Sequence, residues 1–138
     1  MQEMKVLLVD DEVDFTSAIQ KRLARRGLTV KVAQSGEECL SSLEKFPADV
    51  VVLDMKMPGM DGLHTLREIK RRHPLVEVIM LTGHASMESA VEGMDQGAFH
   101  YLMKPADLDE LVYKLEDACK RKEIRERKIR STDNGEES

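Results

Sequence analysis

An α/β fold built on a doubly wound, five-stranded parallel sheet is predicted by three observations on this 138-residue chain. Five short apolar runs alternate with stretches whose apolar residues recur at helical spacing, as in a chain of β-α units. Three of the runs, Val6–Val9, Val50–Leu53 and Val76–Leu81, are nearly continuous, the mark of strands buried on both faces of a parallel sheet. A fourth, Leu28–Ala33, alternates apolar and polar residues with period two, as a half-covered edge strand does. With right-handed crossovers these ranks are satisfied by the strand order 2-1-3-4-5, a flavodoxin-like (βα)5 sheet whose switch point lies between the first and third strands.

Taken in order, Met4–Val9 is the first strand and ends in Asp10-Asp11-Glu12. Val13 to Arg26 carries Phe15, Ala18, Ile19 and Leu23 on one helical face, and Gly27 is placed to stop it. After the edge strand, Ser35-Gly36-Glu37-Glu38 has capping-box spacing and opens a short helix to Phe46, halted by Pro47. Val50–Leu53 runs straight into Asp54, and Pro58-Gly59 and Asp61-Gly62 then demand a loop. Leu63, Leu66 and Ile69 continue a helix to His73-Pro74. Val76–Leu81 ends at Thr82-Gly83, and Ala85 to Gln96 is read as a helix weakened by Gly93 and closed by Gly97. Ala98–Met103 is the fifth strand, ending in Lys104-Pro105. Asp107-Leu108-Asp109-Glu110 starts a last helix with Leu108, Leu111, Val112, Leu115 and Ala118 inward, free to continue to Arg130.

Composition narrows the function. A hydrophobic content of 41% suffices for one core, while 34% charged residues and apolar runs of only four or five residues exclude a membrane span. No signal-peptide pattern opens the chain, and Cys39 and Cys119 lie far apart with no metal or disulfide spacing, so a cytoplasmic protein is expected. Charge is uneven: residues 1–118 hold 14 basic and 21 acidic residues, residues 119–130 seven basic and two acidic, and residues 131–138 three acidic. The acidic body gives no reason to expect nucleic-acid binding. The chain is read as one domain over residues 1–122, with 123–138 as a basic helical extension and an acidic tail expected to be disordered.

The predicted sheet brings particular residues to one rim, the carboxyl edge where open α/β sheets bind ligands. The first strand delivers Asp10 and Asp11, the third Asp54, the fourth Thr82 and the fifth Lys104. Three crowded carboxylates repel one another unless a cation joins them. An all-oxygen donor set on an open rim suits Mg²⁺, which retains waters and often shares its shell with a phosphoryl group. A hydroxyl and an ammonium beside them complete a site for a tetrahedral dianion, and a carboxylate is the nucleophile that aspartyl-phosphate chemistry requires. Dinucleotide and P-loop signatures are absent, and His64, His73, His84 and His100 lack zinc-site spacing.

These motifs resemble those of response-regulator receiver domains of two-component signalling, the chemotaxis-response-regulator type among them. The resemblance covers residues 4–122 and rests on Val9-Asp10-Asp11-Glu12, on Leu53-Asp54-Met55-Lys56-Met57-Pro58-Gly59-Met60-Asp61-Gly62, on Leu81-Thr82-Gly83-His84 and on Tyr101-Leu102-Met103-Lys104-Pro105. It implies that Asp54 accepts a phosphoryl group from a sensor histidine kinase or a phosphotransfer protein. It implies that Asp10, Asp11 and Asp54, with the backbone carbonyl of Lys56, hold Mg²⁺. Lys104 would pair with the phosphoryl oxygens, Thr82 would hydrogen-bond to one of them, and Tyr101 would change rotamer as Thr82 moves. Lys56 and His84 would flank the rim and tune the lifetime of the acyl phosphate. The Thr-Gly-His-Ala run and Phe99 look most like receivers that head enhancer-binding transcription activators.

The expected function is a phosphorylation-dependent switch rather than an enzyme, acting through the helix Ala85 to Gln96, the strand Ala98 to Met103 and the helix from Leu108. Its partners would be the phosphodonor and an output protein or lost output domain, with the protein itself a monomer or a weak dimer through that surface. A receiver cut from a longer transcription regulator is an alternative. So is a Mg²⁺-dependent aspartate phosphatase, which the absence of a second Asp two residues after Asp54 disfavours. An interaction module that never takes phosphate is a third.

Overall fold

The computed structural model describes residues 3–57, 59–83 and 86–133. Five strands alternate with five helices: β1 Lys5–Val9, α1 Val13–Arg25, β2 Thr29–Ala33, α2 Gly36–Leu43, β3 Val50–Leu53, α3 Gly62–Arg72, β4 Glu77–Thr82, α4 Met87–Asp95, β5 His100–Met103 and α5 Leu108–Asp133. All neighbouring strands are parallel, in the order β2-β1-β3-β4-β5. The three continuous apolar runs are the three inner strands. Every residue of β3 and β4 is buried, whereas the edge strand β2 is only partly covered.

Alternation along the strands feeds two cores. Leu7, Val9, Val51, Leu53, Val78 and Met80 meet Cys39, Leu40, Leu43, Leu66 and Ile69 from α2 and α3 on one face. Val6, Leu8, Val50, Val52, Ile79 and Leu81 meet Leu23 of α1 and Leu111, Leu115 and Ala118 of α5 on the other. Gly93 brings α4 against Met80 and Tyr101 on the first face. Burial pushes the Cys39 thiol up to about 12, so it stays protonated and acts as a small apolar side chain.

Helix ends depart from the sequence reading where side-chain caps decide them. The second helix stops at Leu43, three residues short of Phe46, and its start is capped by Ser35, whose Oγ accepts the Glu38 N–H at 3.0 Å. The fourth helix begins after Ser86, where Ser86 and Ser89 form a reciprocal capping box, and it runs through Gly93 without a break. His84 and Ala85, the expected start of that helix, lie outside the described residues. Strand β5 starts at His100 rather than Ala98, because Ala98 N–H is taken by the Gly93 carbonyl of the preceding turn.

Helix α5 passes position 122 without interruption and takes in residues 131–133 of the expected tail; the rest of that tail lies outside the described residues. Its continuation is tied to the foot of the sheet. Glu77, only 1% exposed, receives Arg125 Nη1 at 3.0 Å and Arg121 Nε at 3.3 Å, with Lys70 Nζ at 3.9 Å. Arg125 also donates to the Pro74 carbonyl, and Lys122 lies 3.4 Å from Asp49. A buried carboxylate is tolerated only when it is paired in this way. The basic run therefore holds the helix to the body at least as far as Arg125. No helix of the described residues is long and apolar enough to cross a membrane.

Candidate functional site

The rim is laid out by strand register. Val9 pairs with Leu53, and the ladder continues one step as Asp54 N–H donates to the Val9 carbonyl at 3.0 Å. Asp10 N–H donates to Ala33 O at 3.1 Å on its other side, so Asp10 and Asp54 stand side by side just past their last paired residues. Thr82 pairs with Met103, and Lys104 N–H follows by donating to the Thr82 carbonyl at 2.8 Å. The three inner strands and the edge strand β5 thus end at one level and present Asp10, Asp54, Thr82 and Lys104 together.

Three carboxylates gather there. One oxygen from each of Asp10, Asp11 and Asp54 lies within 4.8 Å of the others; Asp11 is exposed, while Asp10 and Asp54 are 1% and 4% exposed. Asp10 is well satisfied: Oδ1 accepts the Glu12 N–H at 2.9 Å and Oδ2 accepts Lys104 Nζ at 2.5 Å. Burial nevertheless raises its pKa above the ordinary value of 3.8, with the Asp54 charge adding to the effect and the Lys104 and Glu12 bonds opposing it. Asp54 Oδ1, by contrast, is buried and has no hydrogen-bond partner among the described residues. An unpaired buried carboxylate oxygen beside two further carboxylates is a configuration that a cation relieves. The oxygen-only donor set fits a hard divalent ion, so this cluster is able to hold a metal.

Lys104 closes the site from β5. Its ammonium donates to Asp10, and to Glu12 Oε1 at 2.8 Å, and it lies 4.1 Å from the centroid of the Phe15 ring. Burial disfavours the ammonium, but the Asp10 and Glu12 hydrogen bonds outweigh it and raise the pKa, so the charge is permanent near neutrality. Thr82 is fully buried at the end of β4. By alternation Thr82 and Tyr101 share the α4 face of the sheet, and Tyr101 packs into that core. Lys56 is exposed two residues past Asp54, and His84 lies outside the described residues.

Four participants carried no role in the sequence reading. Glu12 was legible only as the third acid of a strand end, yet it reaches 92 residues along the chain to Lys104. Phe15 read only as a helix-face residue, yet its ring lies against the Lys104 ammonium. Ser89 hydrogen-bonds the Tyr101 hydroxyl at 3.0 Å, tying that tyrosine to the cap of α4. Gly62 looked like a turn residue. A Cβ there would stand 2.4 Å from the Asp54 carbonyl oxygen and 2.6 Å from Met55 Cα, so its lack of a side chain lets α3 pack onto the acceptor strand.

The comparisons with known proteins agree with this geometry. The response regulator receiver domain model matches residues 6–116. The chain is 43% identical over 118 residues to the DNA-binding transcriptional regulator NtrC of Salmonella typhimurium, covering 86% of this chain and 25% of that protein. It therefore spans about a quarter of the length of the curated relatives it matches. Among solved structures, a receiver domain from Clostridium thermocellum is 39% identical with a TM-score of 0.83, covering 88% of this chain and 98% of that one. A CheY-like receiver domain protein from Methanospirillum hungatei, 28% identical, superposes with a TM-score of 0.85 over 90% of this chain and 99% of that one. Sheet order, rim geometry and sequence likeness converge, and the chain belongs to the response-regulator receiver domain family.

Proposed function

We propose that this receiver domain is a phosphorylation-dependent switch in which Asp54 takes a phosphoryl group from a sensor histidine kinase or a phosphotransfer protein. The observation that carries the reading is the buried, unpartnered Oδ1 of Asp54 beside the Asp10–Lys104 pair. An Asp54 carboxylate oxygen forms the new O–P bond while the donor's N–P bond breaks and its electron pair stays on the donor nitrogen. Mg²⁺ held by Asp10, Asp11, Asp54 and the Lys56 backbone carbonyl would neutralise charge on the transferring group. Lys104 binds and orients the phosphoryl oxygens, and Thr82 donates a hydrogen bond to one of them. Lys56 and His84 set how slowly the domain loses the phosphoryl group to water.

Output runs through α4, β5 and α5. Tyr101 sits between Ser89 and Gly93 of α4, where movement of Thr82 on the same face reaches it. Met87, Val91, Met94 and Met103 are exposed there, Met87 at 83%, as a surface that an output protein or output domain, or a weakly paired second copy, would cover. The domain spans residues 1–122, with a basic extension beyond it, and acts in the cytoplasm without contacting nucleic acid itself.

The test is intact mass after incubation with acetyl phosphate and Mg²⁺. One phosphoryl group is expected on the wild-type chain and none on Asp54→Asn. Equal labelling of Asp54→Ala and wild type would overturn the assignment.

A further inference from the structure

Among the described residues the Lys104 ammonium makes its contacts on the β1–α1 side of the rim. Nζ is 2.5 Å from Asp10 Oδ2, 2.8 Å from Glu12 Oε1 and 4.1 Å from the Phe15 ring centroid. Among the described residues Asp54 reaches the ammonium only as a nearby charge, and its own Oδ1 stays unpartnered. Asp10 and Phe15 are fixed by the sheet and by α1. Glu12 is different: it is the N-cap residue of α1, its side chain makes no cap hydrogen bond, and its carboxylate is turned to Lys104 instead. Ser, Thr, Asp or Asn at a helix start ordinarily bonds the helix's own free N–H groups, and Glu12 does not take that role. Its carboxylate reaches a cation 92 residues away.

We infer that Glu12 is a positioning residue that holds the Lys104 ammonium on the β1–α1 side of the resting site, so that an incoming phosphoryl group must compete with it for Lys104. The inference rests on the reading of Asp54 as phosphoacceptor. Its physical content is a competition between two anions for one ammonium. A lysine ammonium has three donors, and two are occupied by Asp10 and Glu12 before any phosphoryl group arrives. The ammonium also lies 4.1 Å from the Phe15 ring on that same side, so reaching across to a phosphoryl oxygen on Asp54 draws it away from Glu12, the more exposed of the two partners, at 65% against 2% for Asp10. Glu12 thereby weakens capture of the phosphodonor without touching it.

Glu12→Ala removes the competitor. Glu37→Ala is the control, because Glu37 is also an exposed acid at this rim, with Oε2 3.5 Å from where a Cβ of Gly59 would stand, and among the described residues it forms no hydrogen bond or ion pair with Lys104. The first readout needs no phosphate: the ¹H–¹⁵N resonance of the Lys104 ammonium is expected to move in Glu12→Ala and to stay in place in Glu37→Ala. The second is the rate of phosphorylation against acetyl phosphate concentration at fixed Mg²⁺. For Glu12→Ala the half-saturating concentration is expected to fall about two- to fivefold, the range of a partly exposed ion pair, with the maximal rate within about twofold of wild type. An unmoved Lys104 resonance in Glu12→Ala would overturn the pairing. An equal fall in both variants would overturn the competition and leave only loss of negative charge at the rim. If the resonance moves in Glu12→Ala alone while the wild type takes no label, the pairing stands and the phosphoacceptor reading is what falls.

Discussion

Replacing Gly62 by alanine tests how tightly the acceptor strand is held. The added Cβ would meet three backbone atoms: Asp54 O at 2.4 Å, Met55 Cα at 2.6 Å and Met55 O at 2.9 Å. None is the end of a flexible side chain, so the β3–α3 connection itself must shift. Overpacking of this kind costs about 1–3 kcal/mol. The shift also stretches the Gly62 N–H to Met55 carbonyl bond, now 2.9 Å, which is worth about 1 kcal/mol. The gain in helix propensity is small, because Gly62 is the first residue of α3 rather than an interior one. A net loss of about 2–4 kcal/mol is expected, or roughly 8–15 °C in Tm for a chain of this length. Against a stability of about 5–15 kcal/mol most molecules stay folded, so any large loss of phosphorylation must come from a displaced Asp54. Urea unfolding followed by circular dichroism gives the first quantity, and labelling by acetyl phosphate corrected for folded fraction gives the second. Labelling about ten- to a hundredfold slower than wild type is expected, since a misplacement near 1 Å has that effect on a positioned group. A Gly62→Ala protein within about 0.5 kcal/mol of wild type, labelling at the wild-type rate, would refute the reasoning.

At Gly93 the same substitution should act in the opposite direction. A Cβ there meets only ordinary contacts, Met80 Cγ at 3.7 Å and Tyr101 Cδ2 at 3.8 Å, so Gly93→Ala should stabilise the domain by about 1 kcal/mol in urea unfolding. A destabilised variant would show that α4 has no room on its inner face. Millimolar Mg²⁺ should raise the Tm of the wild type by relieving the Asp10–Asp11–Asp54 cluster. Asp11→Ala should lose that response and show a higher metal-free Tm; a wild-type Tm insensitive to Mg²⁺ would argue against a metal here. Because burial raises the pKa of Asp10, there is a window just above the ordinary 3.8 in which the metal-free folded state still holds a proton that the unfolded chain has released. Its contribution to stability is then fully present below the ordinary 3.8 and is lost as pH rises through the raised folded value. The stability difference between wild type and Asp10→Asn should shift against the wild type across that window and level off above it, as read by unfolding curves at successive pH values in EDTA.

Much of the site was legible because β-strand alternation and strand order together fix which residues share an edge. Asp10, Asp54, Thr82 and Lys104 needed only the position where each apolar run stops, and a strand end is visible in one dimension. The unread features are those made by side chains meeting across elements. Glu77 looked like a polar interruption of an apolar run, since nothing local announces Arg121 and Arg125 on a helix 44 and 48 residues later. The boundary at residue 122 followed the reach of the motif resemblance, residues 4–122, and nothing local showed that the basic run across it ties α5 to the foot of the sheet. The start of α4 was missed because its capping box uses Ser89 at the third position, where the familiar signature has Glu or Gln. Gly62 carried a correct turn signal, but the reason for glycine there is a steric approach only coordinates reveal.

The two ends of β4 and β3 show why burial alone does not identify a reactive carboxylate. Glu77 and Asp54 are both almost wholly buried, at 1% and 4% exposure, and both close one end of an inner strand. At the foot, Glu77 is ringed by Arg121, Arg125 and Lys70, so its charge is matched within the fold. At the rim, the nearby ammonium is bonded to Asp10 and Glu12, while Asp54 keeps a buried oxygen without a partner among the described residues. A matched buried charge is a fastening, and removing its partners only loosens the fold. An unmatched one raises the energy of the resting state, and that cost is relieved only when something from outside binds to it. Three features surround it: an acidic cluster able to hold a cation, an ammonium paired with Asp10, and a buried threonine on the neighbouring strand. Unsatisfied bonding capacity, set where the sheet's register gathers oxygen donors and one cation, is therefore what separates Asp54, the proposed acceptor, from Glu77, whose charge is matched within the fold.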